Sequence, residues 1–330
     1  MVKTRLTLTV NDLAHTRFAV SPMWEVVTSF RALVTTPVPG LHRRWAAQVR
    51  PRLVAAGLDR GWLADMIPPA GHLPDFLNPT PAAHSCDLHD ELSAIESTAP
   101  GQVRLDLDHL AAERDGRLPP RLRSLHRAPQ DHLARLTAEI ETYWQLALAP
   151  YWARICTVLE ADVLHRARQA AGNGTADVLN DLHTTVRWDD GTLFLTQRHC
   201  AITRISTGAG LLLVPSAFAW PRVLTRSVAP DPPQLAYPAR GSAALWERRT
   251  TPRTDTLAAV VGRSRALILA ELDSPASTTA LARRSGLSAA GVSQHLTALR
   301  AAGLVSAHRA GRSVLYARTA LADSLLDAQS

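Results

Sequence analysis

Lysine is nearly missing from this 330-residue chain: of 36 basic residues only Lys3 is a lysine. Schiff-base chemistry, which needs a lysine amine, therefore has no candidate. Cysteine is scarce too. Cys86, Cys156 and Cys200 are odd in number and far apart, which excludes a disulfide framework and fits a reducing compartment. Long apolar runs are absent. The best stretch, residues 208–220, is interrupted by Pro215 and stopped by Pro221, short of the roughly 18 residues a membrane span needs. Residues 1–10 alternate polar with Leu6, Leu8 and Val10, the pattern of a strand and not of a signal peptide, so a cytoplasmic protein with no membrane partner is expected. No Gly-rich phosphate loop ending in Lys-Ser or Lys-Thr, no Gly-x-Gly-x-x-Gly, no His-Glu-x-x-His and no Gly-x-Ser-x-Gly occurs. The expectation is a protein that is not an enzyme and carries no cofactor.

What is present is an ordinary globular balance, 46% hydrophobic and 20% charged, in a chain too long for one small core. Two domains are expected, residues 1–240 and 241–330. The positive charge is uneven. From Arg240 onward there are 12 arginines against 6 carboxylates, whereas residues 1–239 hold 24 basic against 23 acidic groups. A small domain that concentrates positive charge is the footprint of a polyanion partner.

The fold class expected is α+β and mostly helical. Residues 21–34 have helical character, as do 130–170, where Leu133, Leu136, Ile140, Trp144, Leu148, Ile155 and Leu159 recur at helical steps around an interruption at Pro150. Residues 184–196 read as a hairpin turning at Asp189-Asp190-Gly191, giving a small antiparallel sheet, and 210–214 as a buried strand. Residues 227–241, with Pro230, Pro232, Pro233 and Pro238, suit an extended connector between the domains.

From 277 to 318 the local signals agree with one another. Ser277 caps a short helix, Gly286 permits a left-handed turn, Ser288 caps a second helix and Gly303 ends it. Val292, Leu296 and Leu299 share one face of that second helix and belong to the core with Leu281 and Leu287. The opposite face carries Ala289, Ala290, Ser293, Gln294 and Thr297, with Arg300 at its end. Gln bonds bidentately to adenine, Ser meets a base edge, and alanine methyls suit the thymine methyl. On an isolated helix these residues would be a solvated face; their place on the second helix of a helix-turn-helix makes them candidate base readers. Two runs, 304–309 and 313–318, then join through Gly311 as a hairpin, a wing whose Arg309 and Arg312, with Arg318 nearby, are candidate phosphate or minor-groove contacts.

The stretch from about 260 to 326 resembles the ArsR-type family of bacterial winged-helix repressors. The resemblance rests on Leu281-Ala282, Gly286-Leu287-Ser288, Val292-Ser293-Gln294-His295-Leu296, Leu299-Arg300, Ala302-Gly303-Leu304-Val305 and Gly311-Arg312-Ser313-Val314-Leu315-Tyr316. It implies a C-terminal winged helix-turn-helix, a homodimer on an inverted-repeat operator in double-stranded DNA, and repression relieved by an effector. It also puts base-reading positions on Ser288, Ala290, Ser293 and Gln294 and a wing arginine at Arg312. The family's common metal-sensing places are empty of ligands here: residues 277–285 hold no cysteine and 320–330 no histidine. A small organic effector is therefore expected in place of a metal, and residues 1–240 are expected to serve dimerisation, with effector sensing as a candidate second role. A non-specific DNA-organising protein and an enzyme-like domain fused to a DNA-binding module are the alternatives.

Seven of the eight tryptophans precede the 227–241 stretch. Tyr143, Trp144, Tyr151, Trp152 and Trp188 are either plain core aromatics or the lining of an effector pocket. His84, Cys86, Asp87 and His89 are the only compact set of potential ligands in the sequence, but they lack the paired spacing of a metal site, and none is expected. His199-Cys200 does not make a dyad, because neighbours in a strand point to opposite faces.

Overall fold

Ser21 stands directly before Pro22, a residue whose missing amide suits the first turn of a helix. The Ser21 hydroxyl accepts from the Trp24 amide at 3.2 Å, closing the start of a thirteen-residue helix. Local signals of this kind recur along the chain. The computed structural model describes residues 2–84, 87–197, 203–205, 208–246, 254–310 and 313–327. In order, the elements are β1 (Val2–Thr7), α1 (Val10–Ala14), β2 (Arg17–Phe18), α2 (Pro22–Val34), α3 (Arg43–Ala55), α4 (Trp62–Met66), α5 (Leu88–Glu96), α6 (Pro100–Ala112) and α7 (Pro120–Arg127). There follow α8 (Pro129–Ala147), α9 (Trp152–Asn173), α10 (Thr175–Asp181), β3 (Val186–Asp189), β4 (Thr192–Gln197), β5 (Thr203–Ile205), β6 (Leu212–Ser216), β7 (Leu224–Arg226) and β8 (Gln234–Pro238). The chain continues with α11 (Thr254–Val261), α12 (Arg263–Glu271), α13 (Thr278–Ser285), α14 (Ala289–Ala301), β9 (Val305–Ala310), β10 (Ser313–Arg318) and α15 (Ala320–Asp327). The protein is α+β and mostly helical. No helix among the described residues is long and apolar enough to cross a membrane.

The chain forms two compact units. The first comprises Met1–Ala46, Gly57–Glu141 and Val158–Ser242; the second comprises Ala47–Ala56, Thr142–Thr157 and Ala243–Ser330. The break at 242/243 lies two residues from the expected 240/241. No local pattern marks 47–56 and 142–157 as belonging with the C-terminal unit.

In the first unit β3 and β4 form the hairpin expected at Asp190-Gly191, both with positive φ (40° and 74°), as a tight two-residue turn requires. The sheet it belongs to is not purely antiparallel. Its order is β3-β4-β1-β5, with β1 antiparallel to β4 and parallel to β5. A second four-stranded sheet has the order β2-β6-β8-β7. The expected connector is corrected here: Gln234–Pro238 is an interior strand, parallel to β6 and antiparallel to β7. Three of the prolines precede it and the fourth closes it, so the run Gln234-Leu235-Ala236-Tyr237 between them remains free to pair. Alternation along β6 sorts the core. Leu211 and Leu213 pack with Leu6, Leu193, Leu195, Leu235 and Tyr237, while Leu212 and Val214 face Trp24 of α2.

A polar network ties α2 to this second sheet. Trp24 Nε1 donates to Gln234 Oε1 at 2.8 Å, and the amide of Gln234 donates in turn to the Asn78 carbonyl and Thr80 Oγ1 at 3.2 Å. The next residue along α2, fully buried Glu25, accepts from the Ala217 amide at 2.9 Å and from the Ser216 hydroxyl, but its Oε2 has no partner. Burial pushes this carboxyl up from its ordinary 4.5 to about 8. The sign of the consequence follows. The fold holds the proton more tightly than the unfolded chain does, so this group's contribution is fully present below pH 4.5 and lost as pH rises through 8. The loss runs at up to about 1.4 kcal/mol per pH unit within that window. Glu25→Gln keeps the shape and cannot ionise. Urea denaturation between pH 5 and 9 is expected to show a flatter dependence in this variant than in the parent; equal slopes would mean the carboxyl is ionised in the fold.

Candidate nucleic-acid interface

In the C-terminal unit, α13 opens on Ser277, whose hydroxyl accepts from the Ala280 amide at 3.3 Å, and closes on Gly286 in the left-handed conformation (φ 72°). Ser288 then caps α14, accepting from the Gly291 amide at 3.1 Å. Gly303, at φ 69°, ends that helix, and the Leu304 amide reaches back to the Leu299 carbonyl at 2.9 Å. Val292, Leu296 and Leu299 are buried with Leu281, Ile268, Leu269, Leu304 and Leu326, and Leu287 packs against that cluster. A helix that turns three residues inward at i, i+4 and i+7 must turn others out. Ser288, Ala289, Ala290, Ser293, Gln294, Thr297 and Arg300 are all exposed.

Their hydrogen-bonding capacity is unequal. Thr297 Oγ1 donates to the Ser293 carbonyl at 3.0 Å, so this side chain offers its methyl. The Ser288 oxygen accepts one bond as the helix cap, which ties the side chain to the helix start and leaves its hydroxyl hydrogen and one acceptor position. Among the described residues, the Ser293 hydroxyl and the Gln294 amide have no hydrogen-bond partner. They are the two side chains of this face with hydrogen-bonding groups left free.

β9 and β10 pair from Ala310↔Ser313 to Val305↔Arg318. The hairpin is fastened to the segment before α13 by a bridge in which Ala276 and Tyr316 exchange amide bonds at 3.0 and 2.9 Å. Arg309 is exposed on β9; Arg312 lies outside the described residues. His308 is partly buried, bonded to Ser306 Oγ at 2.8 Å, and desolvation holds its pKa below the usual value, so it supplies no cation. Arg318 corrects the expectation of a DNA contact. It is buried, with Nε 2.9 Å from Asp323 Oδ1 and Nη1 donating to the Leu269 carbonyl at 3.2 Å, a clamp joining β10, α15 and α12. Between Asp273 and Asp323 the chain has no carboxylate at all, while it carries Arg283, Arg284, Arg300, Arg309, Arg312 and Arg318. Of these Arg283, Arg284, Arg300 and Arg309 are exposed. A run of exposed arginines with no carboxylate interspersed along the chain suits approach to phosphates.

The aromatic residues follow the core reading for the most part, and Tyr151 also lines a small cavity with Arg154, Asp273 and Arg318. Trp144 and Trp152 pack edge to face with centroids 4.7 Å apart. Tyr151 meets Trp246 at 5.5 Å and donates to Gln48 Oε1 at 2.8 Å, and Tyr143 is fully buried. The turn around Tyr151 contacts β9 and β10, so these side chains form part of the unit's own packing. Trp188 belongs to the first unit, packed beside Leu193 and Leu195. A cavity in the first unit is lined by Thr28, Arg31, Thr35, Phe218, Trp220 and Arg222, none of which was expected to line a pocket.

Of the compact set at which no metal site was expected, His84 Nδ1 lies 3.2 Å from the Phe18 carbonyl and Asp87 caps α5; Cys86 lies outside the described residues, as do His199 and Cys200. The structure instead brings together His72, Asp106 and His109, whose ligand atoms lie within 4.8 Å of one another. Asp106 and His109 share a face of α6 at i and i+3, but His72 stands far upstream, and no spacing rule joins it to them. Burial, with His109 nearby, lowers His72 to about 4. Burial beside the Asp106 carboxylate raises Asp75 to about 7.

Residues 102–243 match the model of a family of unknown function, DUF5937. No curated protein and no solved structure matches the chain. The matched region ends before α11, so the exposed row on α14 is read from its own geometry.

Removing Arg318 strands a buried carboxylate. Arg318→Ala is expected to destabilise the C-terminal unit by about 3–5 kcal/mol, whereas replacing both partners with apolar residues, Arg318→Met with Asp323→Leu, recovers most of the loss. Urea melts of the two variants are the test. A single-variant loss below about 1 kcal/mol would mean that the pair is solvated.

Proposed function

We propose that the protein is a sequence-specific DNA-binding transcriptional regulator acting as a homodimeric repressor in the cytoplasm. In this reading α13, α14 and the β9–β10 hairpin are a winged helix-turn-helix of the ArsR type. The observation that carries the reading is the exposed row Ala290, Ser293, Gln294 and Thr297 on the second helix of the pair, uncharged and flanked by arginines. Uncharged donors and methyls of this size suit base edges in the major groove, and the flanking Arg283, Arg284, Arg300 and Arg309 suit phosphates. A protein that only organised DNA would need the charge and not the uncharged row.

Dimerisation has its own support. α11 and α15 are in contact, and Val260, Leu321 and Leu325 on them are 81%, 54% and 37% exposed. Three large apolar side chains left in water on neighbouring helices are the signature of a surface that another copy covers. For an organic effector, the cavity at Arg31, Phe218, Trp220 and Arg222 offers cations beside aromatic walls, which suits an aromatic acid.

Two predictions test the reading. Gln294→Ala and Ser293→Ala each relax discrimination at particular base pairs by about 1–3 kcal/mol, while Arg309→Ala weakens all sequences alike and flattens the salt dependence. Base-substitution series on a selected site measure both; an unchanged preference in the Gln294 and Ser293 variants, or uniform protection of any DNA, favours the DNA-organising alternative. Second, Val260→Glu with Leu321→Glu is expected to give a monomer in sedimentation velocity. Its site affinity should fall steeply, since the two half-sites, with centres one or two helical turns apart, are then no longer held by one particle. A dimer that persists in the double variant would place the interface elsewhere.

A further inference from the structure

We propose that His72, Asp106 and His109 form a binding site for one divalent transition-metal ion of the zinc class, held in the first unit and independent of the DNA-binding reading. Two imidazoles and one carboxylate, with room for water, are a donor set that such ions accept. The ligand atoms lie within 4.8 Å of one another, and the His72 and His109 rings stand nearly perpendicular (85°) with centroids 5.5 Å apart. A tetrahedral site with bonds of about 2.0–2.1 Å needs ligand atoms roughly 3.3 Å apart. A shift of about 1 Å in side chains, within reach of rotamer adjustment, closes the set.

The surroundings orient these ligands as a metal site would require. Asp106 is buried, and each of its oxygens accepts one bond, from the Phe76 amide and from the Gln102 side chain, both at 2.7 Å. A carboxylate oxygen has a second acceptor position, which stays available for an ion. The loop bearing His72 is held at both edges. Glu113, one turn beyond His109, accepts from the His72 amide at 2.8 Å, and Arg31 donates to the carbonyls of Pro68 and Gly71 at 3.0 Å. Gly71 is required there, since its φ is +94° and a Cβ would collide with the Glu113 carboxylate.

Nε2 of His72 is buried and has no hydrogen-bond partner, a state that costs free energy unless something satisfies it. An ion at this position is one such partner. Asp75 and Glu113 face the cluster on the negative side and Arg31 and Arg226 on the positive. Asp106, whose carboxylate is one of the three ligand groups, is the charge that attracts a dication to the site. His109 is exposed, which leaves the ion a path from solvent.

The test uses the untagged full-length chain, stripped with a chelator and then titrated with zinc against a chromophoric competitor. One zinc per chain is expected, and cobalt in its place is expected to show the visible absorption of a low-coordinate site. His109→Ala, a surface substitution, and His72→Ala should each weaken binding at least about 10-fold, with the circular dichroism and thermal midpoint of the metal-free protein unchanged for His109→Ala. His89→Ala should have no effect. Failure to retain zinc at micromolar concentration, retention unaffected by His109→Ala, or loss on His89→Ala would each overturn the assignment. None of these readouts involves DNA, so they stand or fall apart from the regulator reading.

Discussion

The period of the α-helix is the constraint on which the candidate interface depends. Val292, Leu296 and Leu299 are fully or almost fully buried, and no rotation of α14 keeps all three there while hiding Ser293 and Gln294. The reading face is thus a consequence of the core. Its position relative to the hairpin follows from a second fastening, the Ala276–Tyr316 bridge, and from the Arg318 clamp between β10, α15 and α12. These contacts fasten the hairpin to α12, α15 and the segment before α13; under the proposed function, such fastening is what would let a few uncharged side chains discriminate between base edges.

The C-terminal unit is larger than its continuous sequence. Residues 142–157 supply Tyr151, whose ring meets Trp246 and whose hydroxyl bonds Gln48, so the packing behind the hairpin comes from three separate stretches of chain. A side chain at the end of α8 or the start of α9 can therefore alter the mounting of the wing without approaching DNA. That is a physical route by which a signal could reach the interface, through packed side chains having more than one arrangement.

The first unit handles its buried polar groups differently. There, carboxylates such as Glu91 and Asp106 accept amide hydrogens from loops and helix starts, Met23 and Phe76 respectively, and so act as anchors for backbone. Asp106 serves twice: the anchoring that orders the 75–77 turn also leaves its remaining acceptor sites beside two imidazoles. In the C-terminal unit the stretch 274–322 carries no carboxylate, and Arg283, Arg284, Arg300 and Arg309 on it are exposed.

Much of this was legible beforehand, because its causes are local. Caps at Ser21, Ser277 and Ser288, left-handed glycines at 286 and 303, the Asp190-Gly191 turn and the inward stripe on α14 are set within four or five residues of chain, and the sequence determined them. Three further things depended on distant partners. Gln234–Pro238 looked like a linker, since its prolines are visible in the sequence and its pairing with β6 is not. Arg318 looked like a phosphate contact, since nothing local shows Asp323 folding back beneath it. His72 had no visible connection to α6, since the loop that carries it is positioned by Arg31 and Glu113 from other elements. The sequence by itself determined which faces exist; the tertiary structure decided which groups meet, because pairing across long separations depends on the whole core and leaves no periodic trace.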